Sequence, residues 1–137
     1  MDRFEFCNLM EQAKLSSGVT STEISFAMKM LFSTFRRFEK GKHNFSMTKA
    51  LEYINALHAE LVIYNDVIST SITEYSLLIE WLISARKKNY TQQQLADNIS
   101  ISRDMLIRIE SQRSNISVDI FLKIIDVLGY KIDIQLI

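Results

Sequence analysis

The sequence contains no proline and only three glycines among its 137 residues. Sheets joined by tight turns usually need more of both residue types, so their scarcity favours a mainly helical fold. The single cysteine, Cys7, excludes an internal disulfide, and two histidines alone cannot build a zinc site. We therefore predict no metal site and no cofactor, and we expect Cys7 to be a buried packing residue.

Long apolar runs are also missing, because none approaches the roughly 20 residues of a membrane span. Near the start, Asp2, Arg3 and Glu5 interrupt the apolar stretch that a signal peptide would need. We expect a cytoplasmic protein without membrane contacts.

The 16 basic and 16 acidic residues balance, and zero net charge does not favour nucleic-acid binding by the chain as a whole. Phosphate binding requires only a local basic surface, however.

An internal repeat appears when the sequence is aligned with itself at an offset of 71 residues. Residues 20–64 then lie over residues 91–135 without gaps, with identities at polar landmarks and at apolar positions. Examples are Thr20/Thr91, Arg37/Arg108, Glu39/Glu110, Asn44/Asn115, Ser46/Ser117 and Ile54/Ile125. We therefore divide the chain into a first copy, residues 1–64, a linker, residues 65–74, and a second copy, residues 75–137.

The second copy has the clearer pattern, with four helical segments followed by a strand. Apolar residues recur at helical spacing in residues 76–89. Gly129 is suited to end the fourth helix, and residues 130–137 alternate between apolar and polar, as in a half-buried strand. Three residues suited to be N-caps precede the second, third and fourth helices: Thr91, Ser102 and Ser117.

The second copy resembles the Cro/phage-repressor (XRE-type) helix-turn-helix family. The resemblance covers residues 76–129 and rests on ARKKNYTQQQLADNISISRDMLIRIESQRSNIS followed by LKIIDVLG. It departs from the family at Gln112, where a glycine is usual, and at Ile116, where a proline is usual. The resemblance implies that the third helix enters the major groove of DNA.

The resemblance also implies which side chains contact DNA. Ser102, Arg103 and Met105 begin the third helix and would face base edges, with Arg103 the first candidate for guanine. Gln92 begins the second helix, where free amides suit a phosphate. Contacts to the backbone on either side of the groove are expected from three residues: Arg108, Arg113 and Asn115.

A structural ion pair is implied as well. In the family, an arginine of the first helix pairs with the glutamate that closes the third helix, and here these are Arg86 and Glu110. The first copy retains a version of the pair as Lys14 and Glu39. We expect both pairs to fix the orientation of helices and to have no catalytic role.

The first copy differs from the second where DNA would be contacted. Leu31, Phe32 and Ser21 occupy the positions of Ser102, Arg103 and Gln92. Phenylalanine at such a position more often marks a protein contact than a base contact. Phe32 and Phe35, with Ile107 of the second copy, are therefore candidates for a protein-binding surface. Arg37 and Lys42 remain candidates for phosphate contacts, and whether this copy binds DNA stays open.

Each copy ends in a predicted strand, residues 60–64 and residues 131–137, and a lone strand is not stable. HipB-like antitoxins are similar in this respect, because their C-terminal strand pairs across a dimer. Our first hypothesis is that the two strands pair antiparallel within one chain, which would make a monomeric pseudo-dimer. The alternative is pairing between chains, which would make a homodimer.

These observations predict a mainly α fold of two tandem lambda-repressor-like helix-turn-helix domains, each ending in a short β-strand. The predicted function is sequence-specific binding of double-stranded DNA, as a transcriptional regulator. The alternative is an antitoxin-like or adaptor protein that binds a protein partner, either a toxin or a second copy of itself. An enzyme is not expected, because the sequence has no nucleophile–base pair and no glycine-rich phosphate loop.

Overall fold

Side-chain caps fix most of the helix starts. A computed structural model describes residues 1–137, which form eight helices and three strands. The hydroxyls of Thr91, Ser102 and Ser117 each accept a hydrogen bond from the backbone N–H three residues on, and Gly129 ends the last helix with φ of 80°, as predicted. The elements are α1 (Arg3–Ser17), α2 (Ser21–Ala27), α3 (Phe32–Glu39), α4 (Met47–Ala56), β1 (Ala59–Tyr64), β2 (Ser69–Ile72), α5 (Tyr75–Lys87), α6 (Gln92–Asn98), α7 (Arg103–Glu110), α8 (Val118–Leu128) and β3 (Lys131–Leu136).

The order of four helices and a strand occurs twice, at α1–α4–β1 and at α5–α8–β3. Backbone conformation follows the same offset of 71 residues. Six residues with left-handed φ angles form three repeat-related pairs: Lys29 and Ser100 (55° and 59°), Gly41 and Gln112 (70° and 60°), and His58 and Gly129 (56° and 80°). Since left-handed residues are rare outside glycine, this agreement indicates that the same turns recur in both copies.

The three strands form one sheet in the order β2-β1-β3. β1 pairs antiparallel with β3, which confirms the predicted pairing of the two terminal strands within one chain. Val62 lies opposite Asp133, its own counterpart in the repeat. The counterparts Ser46 and Ser117 also form a bridge with each other. Equivalent positions that meet at two places are the signature of an approximate twofold axis between the copies.

The segment predicted as a linker, residues 65–74, contains a strand that the sequence did not predict. β2 pairs antiparallel with β1, and the Asn65 side-chain oxygen accepts hydrogen bonds from the backbone N–H groups of Val67 and Ile68 in the turn between them. Only Ile72 of β2 is buried, so this short polar strand has almost no apolar pattern. Its stability comes from backbone pairing, which composition does not reveal.

Buried apolar side chains of both copies form one continuous core. The counterpart helices α4 and α8 contact each other, α1 contacts α8, and α4 contacts α5. The core therefore does not divide at the predicted linker. No helix has both the length and the apolar character required to cross a bilayer.

Cys7 is buried in α1 beneath Gly41, as expected of a packing thiol. Burial raises the pKa of its thiol to about 11. The thiol is therefore protonated and poorly nucleophilic near neutral pH.

Candidate nucleic-acid interface

α6, α7 and the turn between them carry Gln92 and the predicted base-contacting residues. Thr91 and Gln94 form a capping box at the start of α6. Leu95 and Ala96 anchor α6 to the core, and Leu106 and Ile109 anchor α7. Ser100 makes the turn with a left-handed φ of 59°. The opposite faces of the two helices are left open to solvent.

At the start of α7, Ser102 and Arg103 are exposed, as expected for residues that would face a groove. Arg103 lines a cleft of about 720 Å³ together with Gln92 and Lys87. Met105 is placed differently, because it packs against the core and is only partly exposed. The structure thus brings Arg103 and Gln92 together and leaves Met105 less exposed than Ser102 and Arg103.

The ion pair between Arg86 and Glu110 is present and lies at the back of this cleft. Arg86 Nε and Nη2 donate to the two carboxylate oxygens of Glu110 at 2.6 and 2.9 Å, and Nη1 donates to the carbonyl oxygen of Tyr90 at 3.2 Å. Gln92 Nε2 also donates to Glu110 Oε1, at 3.1 Å. The pair therefore fixes α5 against α7 and anchors the Gln92 side chain at the start of α6.

Between the end of α5 and the loop after α7, basic side chains are frequent although the whole chain is neutral. Five of them are exposed and lack a carboxylate within 4.0 Å: Lys87, Lys88, Arg103, Arg108 and Arg113. On α6 and α7, the exposed carboxylates are Asp97, which accepts from Gln93, and Asp104. Of these cations, Lys87 and Arg103 lie together in the cleft, where unpaired positive charge can attract a phosphate.

The remaining predicted residues lie at the far end of α7. Arg108 is exposed on its last turn, Arg113 Nε donates to Ser111 Oγ at 3.0 Å, and Asn115 is exposed in the following loop. Lys87 was not among the predicted DNA contacts, although this side chain lines the cleft beside Arg103. The run of basic residues 86–88 was the available signal.

Residues 82–135 match the family model described as helix-turn-helix. The second copy contains a helix-turn-helix domain. The match begins within α5, includes α6 and α7, and ends in β3. It does not extend to the first copy. Comparison with curated proteins and with solved structures finds no match.

The surface of the first copy that corresponds to this helix-turn-helix domain is built from the same scaffold. Lys14 Nζ donates to Glu39 Oε2 at 2.8 Å, so the second predicted ion pair is also present. Lys14 Nζ further donates to Ser21 Oγ at 2.7 Å, and the Tyr53 hydroxyl donates to Glu39 at 2.7 Å. Burial and the bond to Glu39 raise the pKa of Tyr53 well above its usual range.

The predicted aromatic surface of the first copy is only partly present. Phe32 is 46% exposed, and the Arg36 guanidinium carbon lies 5.9 Å from the centre of its ring. The expectation for Phe35 is wrong, because this ring is fully buried against Phe38 and Tyr53. Phe35 lies on the inner face of α3 with the buried Phe38, and its counterpart Leu106 is also a core residue.

The other candidates for a protein or phosphate contact are Ile107, Arg37 and Lys42. Ile107 of α7 is partly buried in the wall of the cleft rather than fully exposed. Arg37 and Lys42 are exposed, and neither has a carboxylate within 4.0 Å. No three His, Cys, Asp or Glu side chains are grouped so that they could hold a metal ion.

Proposed function

We propose that this protein is a transcriptional regulator that binds double-stranded DNA at specific sequences through α7 of the second copy. The observation that carries the proposal is the exposed start of α7, where Arg103 shares a cleft with Gln92 and Lys87. A guanidinium on the first turn of a recognition helix can donate two hydrogen bonds to guanine. Gln92 and Lys87 line the same cleft and would contact the flanking phosphates.

We further propose that one chain acts as a pseudo-dimer in which the first copy is mainly structural. The pairing of β1 with β3 and the bridge between Ser46 and Ser117 support this, because each joins equivalent positions of the two copies. The first copy would contribute at most phosphate contacts, through Arg37 and Lys42. Light scattering at several concentrations tests the pseudo-dimer, which is expected to remain monomeric.

A binding experiment with purified protein and a DNA site selected from a random duplex library tests the proposed function. Arg103→Ala is expected to weaken binding to the selected site by about 10-fold or more and to relax preference at one base position, since a bidentate base contact is worth about 1–3 kcal/mol. Arg113→Ala is expected to weaken binding to all DNA sequences alike and to reduce the dependence of the binding affinity on salt concentration.

Lys131→Ala serves as the matched control, because Lys131 is an exposed cation on β3, outside α6 and α7. This variant is expected to bind as the unmodified chain does. Full retention of sequence preference by Arg103→Ala would contradict the assignment of α7 as the recognition helix.

A second candidate function is that of an adaptor or antitoxin-like protein that binds a protein partner. It is favoured by one observation, the exposure of Leu31 and Phe32 at the positions that correspond to Ser102 and Arg103. Large apolar side chains on an outer face are typical of protein contacts. The two functions use different copies of the repeat and are compatible.

A further inference from the structure

A groove in the first copy combines an apolar floor with basic edges. It lies between the α2–α3 turn and the segment that leads into α4, and its volume is about 580 Å³. Phe38 and Phe45 are buried residues that line it, and the exposed Leu31 forms part of one wall. At its edges are the exposed side chains of Lys29, His43 and Lys49. A group that is both apolar and anionic would satisfy both parts of the groove.

The second copy has no such groove, although its backbone makes the same turns. At the repeat positions of Lys29, His43 and Lys49 it has Ser100, Ser114 and Ile120. At the position of Thr34 it has Met105, a larger side chain that packs against the core. The residues at these positions do not together line any cavity of the second copy. Both the space and the positive charge are therefore specific to the first copy.

The cations of this groove are not neutralised by the protein. Neither Lys29 nor Lys49 has a carboxylate within 4.0 Å. Glu39, the nearest acidic residue in α3, is buried and already bound by Lys14 and Tyr53. Because the groove combines unpaired cations with an exposed apolar side chain, a partner that complements it must carry negative charge.

We propose that this groove binds an acidic, amphipathic segment of a protein partner, with a large apolar side chain on Phe38 and Phe45 and flanking carboxylates on Lys29 and Lys49. This inference gives the second candidate function a surface and a class of partner, and it does not depend on DNA binding. Leu31 is 78% exposed and Phe32 is 46% exposed, and DNA offers little apolar surface to pair with them beyond the thymine methyl groups. A second copy of the chain would bring the same cations together, which like-charge repulsion disfavours.

Selection from a displayed library of random 16-residue peptides, with the full chain as bait, tests the proposal. Counter-selection against the double variant K29E/K49E removes peptides that bind elsewhere. The enriched sequences are expected to carry a large apolar residue flanked by Asp or Glu. One enriched peptide is then synthesised with a fluorescent label, and its affinity is measured by anisotropy.

Leu31→Ser is the most informative variant. Leu31 is the N-cap of α3 and makes no capping hydrogen bond, whereas serine at the equivalent position of α7 does. The substitution should therefore leave the fold intact or stabilise it while it removes part of the groove wall. We expect about a 10-fold loss of peptide affinity with Leu31→Ser, a similar loss with Lys29→Glu, and less than a 2-fold change with Val67→Ser. Val67 is the matched control, since it is 92% exposed in the β1–β2 turn.

Binding of the selected DNA site is measured on the same samples. The proposal predicts that Leu31→Ser leaves DNA affinity unchanged, so a failure of DNA binding and a failure of peptide binding are distinguishable. Absence of enriched acidic peptides, or equal affinity of an enriched peptide for the chain and for K29E/K49E, would overturn the proposal. A loss of DNA affinity of 10-fold or more in Lys29→Glu without any enriched peptide would assign the groove to nucleic acid instead.

Discussion

α3 and α7 occupy equivalent places in the two halves of the molecule, yet the side chains that they expose differ in chemical character. Each has eight residues, each is followed by a left-handed residue, and each ends in a glutamate bound by a basic residue of the preceding long helix. On the outer side, α7 begins with Ser102 and Arg103, whereas α3 begins with Leu31 and Phe32. The scaffold is the same while the exposed side chains differ, which separates the residues that maintain the fold from those proposed to contact DNA or a protein partner.

The largest expected difference between the copies concerns the two ion pairs. Glu110→Ala leaves the guanidinium of Arg86, only 6% exposed, without its carboxylate, and should lower the free energy of unfolding by about 3–5 kcal/mol. Glu39→Ala also removes the acceptor of the buried Tyr53 hydroxyl, so it is made in a Tyr53→Phe background. Measured against Tyr53→Phe alone, it should have a smaller effect, since the Lys14 side chain is 14% exposed and its flexible ammonium can reach water. Urea unfolding of both variants measures the difference, with the exposed Glu52→Ala as control. Equal losses would mean that the two pairs are interchangeable.

A second difference lies at Gly41 and Gln112, which share a left-handed conformation. Gly41→Gln should lower the free energy of unfolding by about 1–2 kcal/mol, because L side chains disfavour this conformation and the added Cβ would lie 3.3 Å from Cys7 Sγ. The reverse change, Gln112→Gly, should raise it by at most about 1 kcal/mol, since glycine also gains entropy in the unfolded state. Chemical denaturation of the two variants checks whether the free energy of unfolding falls in the first and rises in the second. A loss of stability in Gln112→Gly would mean that the Gln112 side chain contributes a contact of its own.

Exchanging the N-caps should have effects of about 1 kcal/mol and of opposite sign. Ser102→Leu removes the bond that Ser102 Oγ accepts from the Met105 N–H, and it should destabilise the chain by about 1 kcal/mol. Leu31→Ser can add the corresponding bond in α3 and should stabilise the chain by about 0.5–1 kcal/mol. Thermal melts of the two variants suffice, and a destabilised Leu31→Ser would show that Leu31 has a structural role.

The sequence correctly predicted features that depend on only a few residues. Caps such as Thr91 and Ser117 and the break at Gly129 follow from local spacing. The pairing of Lys14 with Glu39 follows from the family resemblance of the second copy, carried over by the repeat. Features that depend on the assembled backbone were not predictable. The strand β2 has almost no apolar pattern, the burial of Phe35 depends on the rotation of α3, and the groove of the first copy depends on the packing of elements distant in sequence.

A further predicted difference concerns Cys7, whose counterpart in α5, at the 72-residue offset that relates Lys14 to Arg86, is the apolar Ile79. Burial raises the pKa of Cys7 from 9.0 to about 11, so the folded state holds a proton that the unfolded state loses first. Its contribution to stability is therefore complete below about pH 9 and is lost as pH rises towards 11. Between about pH 9 and pH 10 the free energy of unfolding should fall by about 1 kcal/mol. Cys7→Ala should reduce this slope, and an unchanged slope would assign the loss to other groups.

The most direct test of the account is the symmetry of the DNA site that the protein selects from a random duplex library. If only α7 recognises bases, the selected site is a single asymmetric element, with preference lost at one position in Arg103→Ala and unchanged in Phe32→Ala. A palindrome with two equal half-sites about one helical turn apart would contradict this account, because it would require a second, equivalent recognition helix.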